Sequence, residues 1–126
     1  APTAITLDTL TNGSASSLKN SIKLTNMASK NVHLFSSKVS VNSDKTYQIS
    51  CDLKIISLSS GIGFYVDEYD ANGNWISGLH TKSDAVSGQA LFSYKPSSVN
   101  VKSSSLQVIV ASGAGTVIYL DNALWT

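Results

Sequence analysis

Hydrophobic residues along this chain mostly alternate with polar ones, and helical spacing is nearly absent. The clearest run is 46–56. There Tyr47, Ile49, Cys51, Leu53 and Ile55 fall on one side and Gln48, Ser50, Asp52 and Lys54 on the other, the period-two signature of a half-buried strand. Shorter alternating runs predict strands at 4–8, 21–25 and 89–94, the last ended by Pro96, which cannot donate to a ladder, and 31–35 with 38–41 reads as two short strands or one kinked strand. A near-continuous apolar run at 106–111 predicts a strand that is central or buried on both faces, and 116–125 predicts a final strand. Turn signals and polar connectors at 11–17, 42–45, 57–60, 80–87, 97–103 and 112–115 separate these runs, with a short extended piece expected at 99–101. This succession of short strands predicts an all-β fold, an antiparallel two-sheet β-sandwich.

The densest stretch is 61–79, which reads as strand, tight turn, strand. Asp70-Ala71-Asn72-Gly73 predicts a type I turn closed by a glycine bulge. The flanking residues are then expected to pair as Tyr69 with Trp75, Asp67 with Ser77, and Tyr65 with Leu79. That register places Tyr65, Asp67, Tyr69 and Trp75 on one face, with Phe64, Val66 and Ile76, together with Glu68 and His80, on the other. The second face is assigned to the core. A slip of one residue exchanges the two faces, so the reverse arrangement, with the aromatics in the core, stays open.

The chain has 126 residues, which fits a single domain spanning 1–126 and large enough to bury a core. Charged residues make up 13%, about half the usual share, so Ser, Thr and Asn supply most of the polar surface. Such a neutral, hydroxyl-rich surface suits a secreted protein and argues against an electrostatic partner. Net charge is +1, and the nine cationic residues are all Lys and scattered, which disfavours nucleic acid as a partner. No apolar run approaches membrane-spanning length, so no membrane partner is expected either. The single cysteine, Cys51, excludes an intrachain disulfide and a cysteine-based zinc site, and its place in an alternating run makes it a small buried hydrophobe.

Three segments in order, 20–24, 44–54 and 115–125, together with the turn at 69–74, carry a resemblance. Over 5–126 the chain resembles jelly-roll carbohydrate-binding modules of the 4/9 and 22 kind. The resemblance implies a jelly roll that binds polysaccharide without catalysis. It also implies a monomeric unit of a larger, secreted multidomain protein, attached to a glycoside hydrolase. Similar sandwiches occur in phage tail proteins and surface adhesins, so a structural or adhesive domain is the second reading. The family's structural calcium would draw on Asp121, which matches its C-terminal aspartate, with Asp8 and main-chain carbonyls of 11–17 as partners. The alternative for Asp121 is that it bonds neighbouring backbone groups. The chain departs from the family at its start. Leu7 precedes Asp8 and Asn12-Gly13 follows it, where the family has an Asn-Gly turn and then an aromatic and an acid.

Sugar rings have apolar faces and hydroxyl rims. A binder therefore needs flat aromatic platforms beside planar polar groups, and Tyr and Trp supply contact area at low entropic cost. Tyr65, Asp67, Tyr69 and Trp75 are the leading candidates. Gln48 and Asp52, with Lys54, come from the polar face of 46–56, and His80 from the end of the hairpin. Tyr94, Gln107 and Tyr119 are weaker candidates, His33 is a polar rim residue, and Trp125 is core or edge cover. Enzyme activity is not expected. Asp67 and Glu68 are neighbours in a strand, point to opposite faces and cannot flank one bond. No nucleophile motif, phosphate loop or metal triad is present in the sequence.

Overall fold

A computed structural model describes residues 3–5, 7–11, 14–17, 22–26, 31–57, 61–82, 88–110 and 116–126. Among them are twelve strands and no helix: β1 (Thr3–Ala4), β2 (Leu7–Thr11), β3 (Ser14–Ser17), β4 (Ile22–Asn26), β5 (Val32–Ser36), β6 (Val39–Ser40), β7 (Tyr47–Ser57), β8 (Ile62–Tyr69), β9 (Trp75–Lys82), β10 (Gly88–Tyr94), β11 (Ser103–Val110) and β12 (Thr116–Trp125). They form two antiparallel sheets. The back sheet runs β10-β7-β12-β4-β3, with β1 against β12. The front sheet runs β2-β5-β11-β8-β9, with β6 against β11.

The expected two-sheet sandwich is therefore what forms. Three local expectations change. Residues 14–17, read as part of a polar loop, are strand β3, paired along its length with β4. An edge strand needs a backbone partner more than it needs apolar side chains. Residues 80–82, read as loop, continue β9, because β8 is long enough to pair Phe64 with Lys82. The extended piece expected at 99–101 is a turn instead, closed by the Val101 N–H donating to Ser98 O at 3.3 Å. The apolar run in β11 is central, as predicted: the strand lies between β5 and β8, and 104–108 are all buried.

The core fills the space between the sheets. Val32 and Leu34 from β5, Ile62, Phe64 and Val66 from β8, and Leu106, Val108 and Val110 from β11 meet Ile49, Cys51 and Leu53 from β7 and Ile118 and Leu120 from β12. Cys51 is the small buried hydrophobe its alternation predicts; burial pushes its thiol up to about 12, far from a reactive thiolate. Trp125 is core too, and its ring packs 5.7 Å from those of Tyr47 and Tyr94.

One carboxylate lies inside this apolar layer. Glu68 has no exposed surface. It accepts from Ser77 Oγ and Tyr94 OH at 2.6 Å each, from the Ser97 N–H at 2.9 Å, and from Ser97 Oγ. Tyr94 OH in turn meets Ser104 Oγ at 2.7 Å. Burial by itself would raise the Glu68 carboxyl, but these donors outweigh it and hold the group below the ordinary carboxylate range. Tyr94 is therefore a buried partner of Glu68, not the surface contact considered from sequence.

The turn after β8 forms as expected. The Gly73 N–H donates to Asp70 O at 3.0 Å, and Gly73 has φ 80°. Asp70 Oδ1 accepts from the backbone N–H groups of Asn74 (2.9 Å) and Asn72 (2.8 Å), which hold this carboxyl below its usual range. An L side chain at Gly73 is strained, so Gly73→Ala should cost about 1 kcal/mol of stability in a urea titration.

Beyond the turn the register departs from expectation. Tyr69 pairs with Trp75 as predicted, but Glu68 then pairs with Ser77, Asp67 with Gly78, Val66 with Leu79 and Tyr65 with His80. A bulge between Glu68 and Tyr69 leaves Ile76 as the extra residue of β9. Phe64 and Val66 keep their core positions because β8 sets its own faces. Ile76 loses the core position assigned to it and is 37% exposed. His80, expected on the core face, takes a register position opposite Tyr65.

Candidate functional site

The outer face of the front sheet gathers the chemistry. Alternation along β5 turns His33 and Phe35 outward, both half-buried, while Val32 and Leu34 go to the core. On β11 the outward positions include Ser105 and Gln107, and on β8 Tyr65, Asp67 and Tyr69. Cross-strand pairing aligns them in rows: Phe35, Gln107, Tyr65 and the His80 position; then Ser105, Asp67 and Gly78; then Ser103, Tyr69 and Trp75.

Two aromatic side chains on this face each come close to a glycine. A Cβ on Gly63 would stand 2.8 Å from Tyr65 Cε2, so only glycine lets that ring rest there. A Cβ on Gly78 would stand 3.8 Å from Trp75 Cζ2 and 3.1 Å from Asp67 Oδ1. The Trp75 indole thus folds back along β9 toward Asp67, with 61% of its surface still exposed. His33 and Phe35 add a third flat element, with centroids 6.3 Å apart and planes 12° from parallel.

A hydrogen-bonded line crosses four strands between these rings. Trp75 Nε1 donates to Asp67 Oδ1 at 3.1 Å, and Gln107 Nε2 donates to Asp67 Oδ2 at 2.6 Å. Gln107 Oε1 then meets His33 Nδ1 at 2.7 Å. Asp67 and Gln107 are themselves buried, at 4% and 8% exposure. At the turn end, Lys38 Nζ sits 3.9 Å from the centroid of the Tyr69 ring and donates to Gly73 O at 3.4 Å. Tyr69 OH lies 3.4 Å from Ser105 Oγ. A separate cleft of about 390 Å³ lies beside the turn, lined by Asp70, Ala71, Asn72, Ile76, Asn100 and Lys102.

The front face brings together Tyr65, Asp67, Tyr69 and Trp75. His80 shares their sheet by register, but its side chain lies outside the described residues. Gln48 and Asp52 are separated from them. Both belong to β7 in the back sheet, where Gln48 Nε2 donates to Ser93 Oγ at 2.8 Å and Asp52 pairs with Asp121. The cause is topological: β7 never pairs with β8, although the two follow one another in sequence. Gln107, a weaker candidate from sequence, becomes the central link, and His33, read as rim, becomes its partner. Sequence reasoning did not find Gly63, Gly78, Phe35 or Lys38. Gly63 carried a signal, since it lies two residues before Tyr65 on the same strand face, whereas Gly78 shares a face with Trp75 only because of the bulge at Ile76.

The residues named for calcium are Asp121 in β12 of the back sheet and Asp8 in β2 of the front sheet. The Asp8 side chain is outside the described residues. Among those described, no three His, Cys, Asp or Glu side chains form a cluster.

No family model matches the sequence, and no curated protein matches it. Solved structures do. The chain is similar to the CBM22-1 xylan-binding domain of Paenibacillus barcinonensis Xyn10C, with TM-score 0.57 and 19% identity, over 98% of this chain and 83% of that one. It is similar to a family 4 carbohydrate-binding module, with TM-score 0.64 and 13% identity, over 97% of this chain and 77% of that one. It is also similar to part of the enzymatically active domain of bacteriophage CBA120 tailspike protein 4, with TM-score 0.63 and 14% identity, over 99% of this chain but 18% of that one. At these identities the likeness is one of fold: the chain has the β-sandwich of carbohydrate-binding modules.

Proposed function

We propose that this chain is a non-catalytic carbohydrate-binding module that holds a polysaccharide across the outer face of the front sheet. In this reading it is a monomeric unit of a larger secreted protein and targets an attached glycoside hydrolase. The observation that carries it is the pair of outward aromatic side chains, Tyr65 and Trp75, set against Gly63 and Gly78 beside a line of buried polar groups. Aromatic rings offer the apolar sugar faces a platform, and the polar line ends at half-buried His33, where it can address the hydroxyl rim. The solved modules of similar fold support it, one of them a xylan-binding domain. The acids support a binding role over a catalytic one. Glu68 is sealed in the core by hydroxyl donors, and both oxygens of Asp67 already have donors of their own.

Affinity electrophoresis of the folded protein against soluble glucans, xylans, mannans and pectins tests the proposal. Retardation on at least one is expected. Free migration on all of them would sink it.

The second reading is a structural or adhesive domain. It is favoured by the tailspike likeness and by Leu91, 54% exposed on edge strand β10. It predicts a stable oligomer on gel filtration and no retardation on any glycan.

A further inference from the structure

The line of hydrogen bonds across the front face has a direction. An indole N–H can only donate, and an ionised carboxylate can only accept. Trp75 and Asp67 therefore fix the sense of the first link. Because Asp67 Oδ2 accepts, the Gln107 group facing it at 2.6 Å must be the amide NH₂. The amide oxygen then faces His33, and since that oxygen only accepts, His33 must carry its proton on Nδ1, 2.7 Å away. In the neutral imidazole this leaves Nε2 as a bare acceptor on the other side of the ring. His33 is half-buried on the outward side of β5, with Phe35 stacked beside it.

We infer that the relay Trp75–Asp67–Gln107–His33 sets the tautomer of His33, so that Nε2 accepts a hydrogen bond from a sugar hydroxyl lying against Phe35. The inference rests on the reading of this face as the sugar site. It makes His33 a specificity-determining contact. Asp67 becomes a positioning residue that acts through Gln107, where sequence alone made it a direct ligand contact. The ligand class is a neutral saccharide whose ring packs on Phe35 and whose hydroxyl donates at that point.

Asp67→Asn reverses the relay by an isosteric change. The Trp75 N–H still needs an acceptor, so the oxygen of the new amide turns to it and the new NH₂ faces Gln107. Gln107 must then present its oxygen to that NH₂ and its own NH₂ to His33. His33 is forced to accept at Nδ1 and to carry its proton on Nε2, where it can no longer accept from a hydroxyl.

The test is a long-range ¹H–¹⁵N correlation spectrum of the uniformly labelled, ligand-free chain at neutral pH, with a His33→Asn variant to identify the His33 signals. The wild-type protein should show the Nδ1–H tautomer, and Asp67→Asn the Nε2–H tautomer. On a glycan that retards the wild type, Asp67→Asn should bind roughly tenfold more weakly. An Nε2–H tautomer in the wild type overturns the relay, and that spectrum decides even if Asp67→Asn does not fold. A tautomer swap without loss of affinity overturns the role of His33 in recognition. If no glycan retards the wild type, the proposed function fails, while the spectra still judge the relay.

Discussion

Glu68→Ala is expected to destabilise the protein by about 3 kcal/mol or more, read as a fall in the thermal midpoint of roughly 10 °C. The carboxylate is fully buried and is the shared acceptor for Ser77, Tyr94 and Ser97. Those donors come from β9, from β10 and from the loop after β10, so one side chain joins the front sheet to the back sheet. Removing it takes the acceptor from Ser77 Oγ and from the Ser97 N–H, and leaves the buried Tyr94 OH with Ser104 Oγ as its remaining partner. A loss below about 1 kcal/mol would mean that the cost of burying the carboxylate cancels its hydrogen bonds.

The same group predicts an acid limit to stability. Its carboxyl is held below the ordinary range in the folded protein, so the unfolded chain binds its proton more readily. The associated stability is fully present above the unfolded value, about 4.3, and is lost as pH falls through the lower, folded value. Urea midpoints measured from pH 6 down to pH 3 should fall steeply at the acid end in the wild type. Glu68→Gln should start lower and fall less.

The second large effect is on binding. Trp75→Ala should weaken glycan retention by about 2 kcal/mol, some thirtyfold, on any polysaccharide that the wild type binds. The indole is 61% exposed and comes beside Gly78 with its Cζ2 edge, so its removal takes away platform area and little packing. It also frees Asp67 Oδ1, the acceptor of the indole N–H. The thermal midpoint should change by less than about 1 kcal/mol equivalent, as for other exposed positions. Unchanged retention with a large loss of stability would place Trp75 among structural residues and remove the main support for the front face as the site.

Much of the fold was legible because alternation is a local signal. The run 47–55 sends Ile49, Cys51 and Leu53 inward, and β11 reads as central from its unbroken apolar stretch. The turn at 70–73 was legible for the same reason, since Asp and Gly at those positions determine their own backbone geometry. The bulge at Ile76 was not. It depends on how two strands meet, and nothing in the sequence of β9 alone marks the extra residue.

The order of residues is enough to put Tyr65, Asp67 and Tyr69 on one face of β8 and Phe64 and Val66 on the other. A strand sends successive side chains to opposite sides whatever it pairs with. Which of those faces meets solvent depends on the side that the second sheet covers, and that emerges only when the sheets pack. Packing also sets Gln48 and Asp52 apart from the hairpin, and it brings Gln107 and His33, from strands far away in sequence, to complete the line begun by Trp75 and Asp67. Sheet neighbours are chosen by long-range pairing, and a residue's chemistry does not reveal which distant strand will lie beside it.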